Sequence, residues 1–251
     1  MVGVTTVALL ERKPGMSRDL FSRYWRDIHG VMAARIPGFA SYTQHHVTPF
    51  SAEAEPFEGI AIVTFASEDD RQGLATSAMT GHIHRDEQNV FRRALLYNLT
   101  AGADTLLIDG EREHGQSAFV VVPRGVDPVE ISSVLLASGP TFLARFNLTT
   151  GDPAAWNATD VDEGGRGRRF ATLLQGVWPD AGSASGALAR VSETAAATYW
   201  LDQTFVLVES GRATPVGLRG WDAVRTIDEA GADNQLTMEV EDALYKPGSG
   251  G

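Results

Sequence analysis

Six histidines carry most of the chemical capacity of this chain, and all lie in its first half, at positions 29, 45, 46, 82, 84 and 114. Imidazole is the side chain that gives and takes protons near neutral pH, so any acid–base site belongs to that half. There is no cysteine, which excludes thiolate nucleophiles, disulfides and Cys-ligated zinc or iron–sulfur sites. His29 follows Trp25 by one helical turn, so the two share a stripe that faces a sheet. It is either a satisfied core histidine or a group that lines a cavity. Alternation along a strand puts Tyr42 and His46 on one face and His45 on the other, which makes Tyr42 and His46 the inward pair.

The run Gly81-His82-Ile83-His84-Arg85-Asp86-Glu87 has two readings. On a helix, His82 stacks over Asp86 and His84 turns to another face; in an extended turn both imidazoles could ligate one metal, but the spacing is not diagnostic. We assign no metal ligands. The basic cluster Gly164 to Arg169 reads as a solvated loop or an anion contact. No phosphate loop or Gly-x-Gly-x-x-Gly motif is present, and Gly182-Ser183-Ala184-Ser185-Gly186 does not have the nucleophile-elbow spacing.

The elements that must position these residues follow from periodicity. An apolar run, Thr5 to Leu10, reads as a buried strand. Ser17 is a candidate N-cap for a helix whose apolar residues Leu20, Phe21, Tyr24, Trp25, Ile28 and Met32 recur at steps of three and four, ended by Pro37-Gly38. Phe39 to Val47 and Gly59 to Phe65 read as strands. Ser67-Glu68-Asp69-Asp70 opens a helical region that carries His82 to Leu95, and Ala103 to Ile108 supplies the last strand. The order strand, helix, strand, strand, helix, strand is the split βαβ or ferredoxin-like unit. After a polar hinge the second half repeats it in outline, with strands at Ala118–Val122, Thr141–Leu148, Phe170–Trp178 and Thr204–Val208 and helices at Pro128–Ala137 and Gly182–Ala197. A short extra helix is predicted at Trp221 to Ile227, and an edge segment near Leu236 to Val240. The fold class is α+β, divided into residues 1–115, 116–245 and a flexible tail at 246–251.

At 251 residues, 43% hydrophobic and 21% charged, the chain is an ordinary globular protein of one or two domains. Its net charge of -11 works against binding a phosphate backbone. With no secretory leader pattern and no apolar run of spanning length, the expected location is cytoplasmic, and neither membrane nor nucleic acid is an expected partner. The three Asn-x-Thr triplets at Asn98, Asn147 and Asn157 are read as chance.

At Lys13-Pro14-Gly15-Met16-Ser17, Phe21, Tyr24-Trp25, His29, Ile36-Pro37-Gly38 and Tyr42 the sequence resembles the EthD family of dimeric α/β-barrel proteins. Asp86-Glu87 with Phe91 is similar to that family's second-helix pattern. The resemblance implies a ferredoxin-like unit whose sheet joins that of a second unit to close a barrel, with a mostly apolar pocket between sheet and helices. Here the second half looks like a degenerate copy, so both units of the barrel would lie in one chain, and two such fused chains could pair. His29 and Tyr42 match family positions; His45, His46, His82 and His84 lie outside the pattern. The wider superfamily includes cyclases, decarboxylases, dehydratases, monooxygenases and heme-dependent enzymes, so the resemblance defines fold better than reaction.

The expected function is a cofactor-independent lyase, decarboxylase, dehydratase or cyclase acting on an aromatic or polyketide-like molecule. His29 and His46 are the candidate base and acid, Tyr42 orients the substrate, and His84 with Asp86 forms a supporting pair. Tyr24, Trp25, His45, His82 and Phe91 are the candidate substrate contacts. Two alternatives stand beside it: a cofactor-free, metal or heme monooxygenase, and a non-catalytic protein that holds a hydrophobic ligand.

Overall fold

The computed structural model describes residues 3–51, 54–151, 161, 169–231 and 238. The first unit comprises β1 (Val4–Arg12), α1 (Arg18–Tyr24), a π-helical turn (Trp25–His29), α2 (Gly30–Ala33), β2 (Phe39–Pro49), β3 (Phe57–Phe65), α3 (Glu68–Gly73), α4 (Thr80–Val90) and β4 (Phe91–Asn98). After β5 (Asp104–Ile108), the second unit comprises β6 (Gln116–Pro123), α5 (Pro128–Leu136), β7 (Phe142–Asn147), β8 (Phe170–Trp178), α6 (Ala181–Ser192) and β9 (Ala197–Glu209). A short β10 (Arg212–Ala213) and α7 (Trp221–Ala230) follow.

The strands form one sheet in the order β4-β1-β3-β2-β9-β6-β8-β7-β5. Both halves therefore repeat the ferredoxin-like order, fourth strand, first, third, second. The units join where β2 pairs β9, with Tyr42 opposite Val208 and Pro49 opposite Tyr199. The sheet begins at β4 and ends at β5, consecutive strands of the chain, so it curls into a dimeric-type α/β barrel built from a single polypeptide.

Two expectations need correction. The last strand of the first unit is β4, over a stretch read as helix, because Ile83, Val90, Phe91 and Ala94 keep a near-helical apolar spacing. Ala103 to Ile108 instead leaves its own unit and pairs with β7, Asp104 opposite Phe146. Likewise β9 starts at Ala197, at the end of a segment read as helix, and runs 13 residues. The predicted edge segment from Leu236 to Val240, apart from Met238, the cluster Gly164 to Arg168 and the tail 246–251 lie outside the described residues.

Period-two alternation divides the core in three. Val7, Leu9, Ile60, Leu95, Phe119, Val121 and Leu173 fill the barrel. Leu10, Ala61, Phe65 and Ala94 face the helices of the first unit, while Val120, Leu174 and Trp178 face α5 and α6. Helix α7 buries Ala223 and Ile227 in the first unit's core, and Glu229 pairs with Arg23 of α1 at 2.6 Å. No helix among the described residues is long and apolar enough to cross a membrane.

Candidate active site

The first helix sets the site. Ser17 caps it, its hydroxyl accepting from the Leu20 amide at 3.1 Å, and the chain winds as an α-helix until Trp25. There it widens into a π turn, with the Gly30 amide bonded to the Trp25 carbonyl. Such turns insert a residue and re-aim the side chains around them. Gln44 of β2, wholly buried, donates Nε2 to the same carbonyl at 2.9 Å. A Cβ on Gly30 would lie 2.4 Å from Leu207 Cδ2 and 2.5 Å from Gln44 Nε2, so only glycine lets this turn approach the sheet so closely.

Between that helix and the sheet lies a cavity of about 80 Å³. Small residues hollow its floor, Ala8 on β1, Ala61 on β3 and Ala94 on β4, and Trp25, Phe39, Phe65 and Phe91 form its walls. Its polar lining comprises His29, Tyr42, Thr6, Asn98, Arg71 and Glu87.

His29 is held from behind. Its Nδ1 lies 3.0 Å from Asp86 Oδ2, and Tyr24 donates its hydroxyl to Asp86 Oδ1 at 2.7 Å. Asp86 is almost fully buried, and a carboxylate there requires such donors. With both oxygens accepting, His29 carries its proton on Nδ1, which leaves Nε2 as the basic nitrogen. Phe91 meets the imidazole edge-on, ring centroids 5.1 Å apart, and fixes its plane. Burial, then the Asp86 charge, pushes the Tyr24 phenol far above its ordinary value, so it stays a donor.

Tyr42 enters from β2. Its hydroxyl oxygen accepts from Gln44 Nε2 at 2.8 Å. With that donor on its oxygen, the phenol keeps its own proton to offer. Burial raises its pKa despite this donor, so the Tyr42 O–H is a donor for whatever occupies the cavity.

The other predicted residues are placed differently. His46 shares the Tyr42 face, as alternation requires, but packs on the Trp25 ring at 4.5 Å outside the cavity lining. Burial, then the nearby Arg26, His45 and Arg18 charges, lowers its pKa to about 3. His45 faces the barrel interior against Phe119, and burial lowers its pKa to about 4. His82 takes a bond from Arg85 Nη2 at 2.8 Å. His84 is half-buried on α4, its pKa lowered by burial and then by His29; Asp86 bonds His29 and Tyr24. Among the described residues no three His, Asp or Glu side chains converge as a metal-ligand set.

Arg71, Thr6 and Asn98 were not singled out from the sequence. Arg71 is buried and donates Nη1 to the Thr5 and Leu99 carbonyls at 3.1 and 2.8 Å, tying β1 to the end of β4. Thr6 donates its hydroxyl to Asn98 at 2.8 Å across those strands. These pairs depend on register, which has no local sequence signal.

The EthD domain family model matches residues 13–93, the span that holds the helix, Ala61 of the cavity floor, Tyr42 and Asp86. No protein of curated function matches the sequence. A solved "anthrone oxidase-like protein" is 13% identical over 82% of this chain and 94% of its own, with a TM-score of 0.49. A Fusobacterium nucleatum "Putative monooxygenase" is 8% identical over 85% of this chain and 97% of its own, at 0.47.

Proposed function

We propose that the protein, whose residues 13–93 match the EthD domain family model, is an enzyme that relocates protons on a compact aromatic or polyketide-like molecule without an organic cofactor. The observation that carries this reading is the buried line Tyr24–Asp86–His29, which ends at the cavity. His29 Nε2 takes a proton from an acidic C–H or O–H of the substrate. Asp86 holds the tautomer that makes Nε2 basic and stabilises the imidazolium that forms. Tyr42 offers its O–H to the substrate oxygen on which negative charge gathers, in an apolar site where such a bond counts for more than in water. Returning the proton to a different carbon gives a tautomer, and returning it to a departing hydroxyl gives dehydration.

The cavity volume of about 80 Å³ is small beside ligand sites of roughly 300–1,000 Å³. It favours a one-ring substrate or the reactive end of a larger one.

The test is a set of hydroxyaromatic and 1,3-dicarbonyl acids incubated with the protein in deuterated water and followed by NMR. Wild type should exchange or convert at least one member, and His29→Gln should slow it by about 10²–10⁴, the usual contribution of a positioned base, with an unchanged circular dichroism spectrum. Undiminished exchange by His29→Gln would remove the base from the mechanism. Turnover that stops when oxygen is withheld would replace proton relocation by oxygen chemistry.

A further inference from the structure

A second cavity opens to solvent beside β5, on the opposite face of β2 from His29. It is larger, about 420 Å³, and both units line it. Most of a barrel interior is apolar, as the Val7, Leu9, Val121 and Leu173 layers are here. This wall instead presents Thr43 and His45 from the first unit and Gln175 from the second. Among the described residues no side-chain hydrogen bond engages Thr43 or Gln175. His45, more than nine-tenths buried, bonds Thr204 through Nδ1 at 3.2 Å and keeps Nε2 for another partner. The half-buried Thr43 and Gln175 side chains and the second nitrogen of His45 therefore have hydrogen-bonding capacity to offer a ligand in this cavity.

The lining also describes the occupant. Hydroxyl and amide groups both give and accept hydrogen bonds, which suits hydroxyls. Asp104 and Arg112 bring one charge of each sign, and burial holds His45 neutral, so the site favours no net charge. The Phe142 ring, covered by the Arg112 guanidinium at 4.1 Å, adds a flat apolar wall. The volume falls within the usual small-molecule range.

We propose that this cavity is a second binding site, separate from the His29 cavity, for an uncharged ring compound bearing several hydroxyls, held by Thr43, His45 and Gln175. The site exists only because β5 crosses to β7 and roofs it, so neither unit alone would form it.

The experiment is a titration of the full ¹⁵N-labelled chain with phenyl β-D-glucopyranoside, with benzoate as a charged control. At millimolar glucoside the amides of Thr43, His45 and Gln175 should shift while those of Trp25 and His29 stay in place. Thr43→Val/Gln175→Leu should weaken the response about tenfold, the loss of two hydrogen bonds of about 0.5–1.5 kcal/mol each. Should that pair fail to fold, Ala144→Phe, which fills the cavity from β7, must abolish the response instead. No shift at the three amides, a response unchanged in the variants, shifts confined to the His29 cavity, or tighter binding of benzoate would each overturn the proposal.

Discussion

The two units share a strand order and differ in what their helices cover. In the first, the central helix-side pair of the first and third strands is Ala8 opposite Ala61; in the second it is Val120 opposite Leu174. The tryptophans follow the same contrast. Trp25 comes down from a helix and sits over Gly59, where a Cβ would meet its ring at 2.7 Å, so the rest of the floor stays hollow. Trp178 rises from a strand, folds back over Gly176, where a Cβ would meet the ring at 2.4 Å, and is itself fully buried. Its indole N–H is satisfied by Ser138 at 2.8 Å. One fold thus yields a cavity or a packed layer according to whether small residues or a large ring occupy the floor.

Each half of that contrast can be broken separately. Trp178→Ala should cost about 3–5 kcal/mol, as large buried aromatics do, while turnover per folded molecule stays that of wild type; denaturant melts with an activity assay check both. Activity that falls with it would place a functional role in the second unit. Giving the first unit the second's floor, Ala8→Val/Ala61→Leu, should lower turnover at least a hundredfold with a fold intact by circular dichroism, because the reacting volume is gone. Normal turnover in that variant would move the reaction out of this cavity.

A further test separates the units by pH. His45 and His46 are buried as neutral rings with pKa values lowered to about 4 and about 3. An unfolded histidine titrates near 6.5, so below that pH the unfolded chain binds protons that the folded chain refuses. Their contribution is complete above about 6.5 and is lost as pH falls toward 4 and 3, at up to about 1.4 kcal/mol per pH unit for each ring. The second unit has no histidine beyond position 114. Hydrogen exchange between pH 7 and 4 should therefore loosen β2 and β3 before β6 and β8; the reverse order would contradict this assignment.

Much of this was legible where one element sufficed. The three- and four-residue spacing from Leu20 to Met32 marked the helix that carries His29, and alternation sorted Tyr42 from His45. What stayed hidden depends on tertiary placement. Asp86 meets Tyr24 and His29 across 62 and 57 residues, and no spacing announces that three elements converge. The π turn at Trp25–His29 leaves no mark in an apolar pattern, since one inserted residue shifts the stripe by less than its own width. Phe91 to Leu95 read as helix because its apolar residues fit either period until β1 pairs with it and decides.

The seam between the units carries a last consequence. Two separate ferredoxin-like chains would meet at this interface only above their dissociation constant and would part on dilution. Tethered through residues 99–115, β2 meets β9 and β5 meets β7 at an effective concentration set by the linker, of millimolar order for short connections. Barrel closure is then indifferent to how much protein is present. The second unit is thereby released from the need to match the first, free to trade its hollow for a tryptophan while still supplying the strands that complete the barrel.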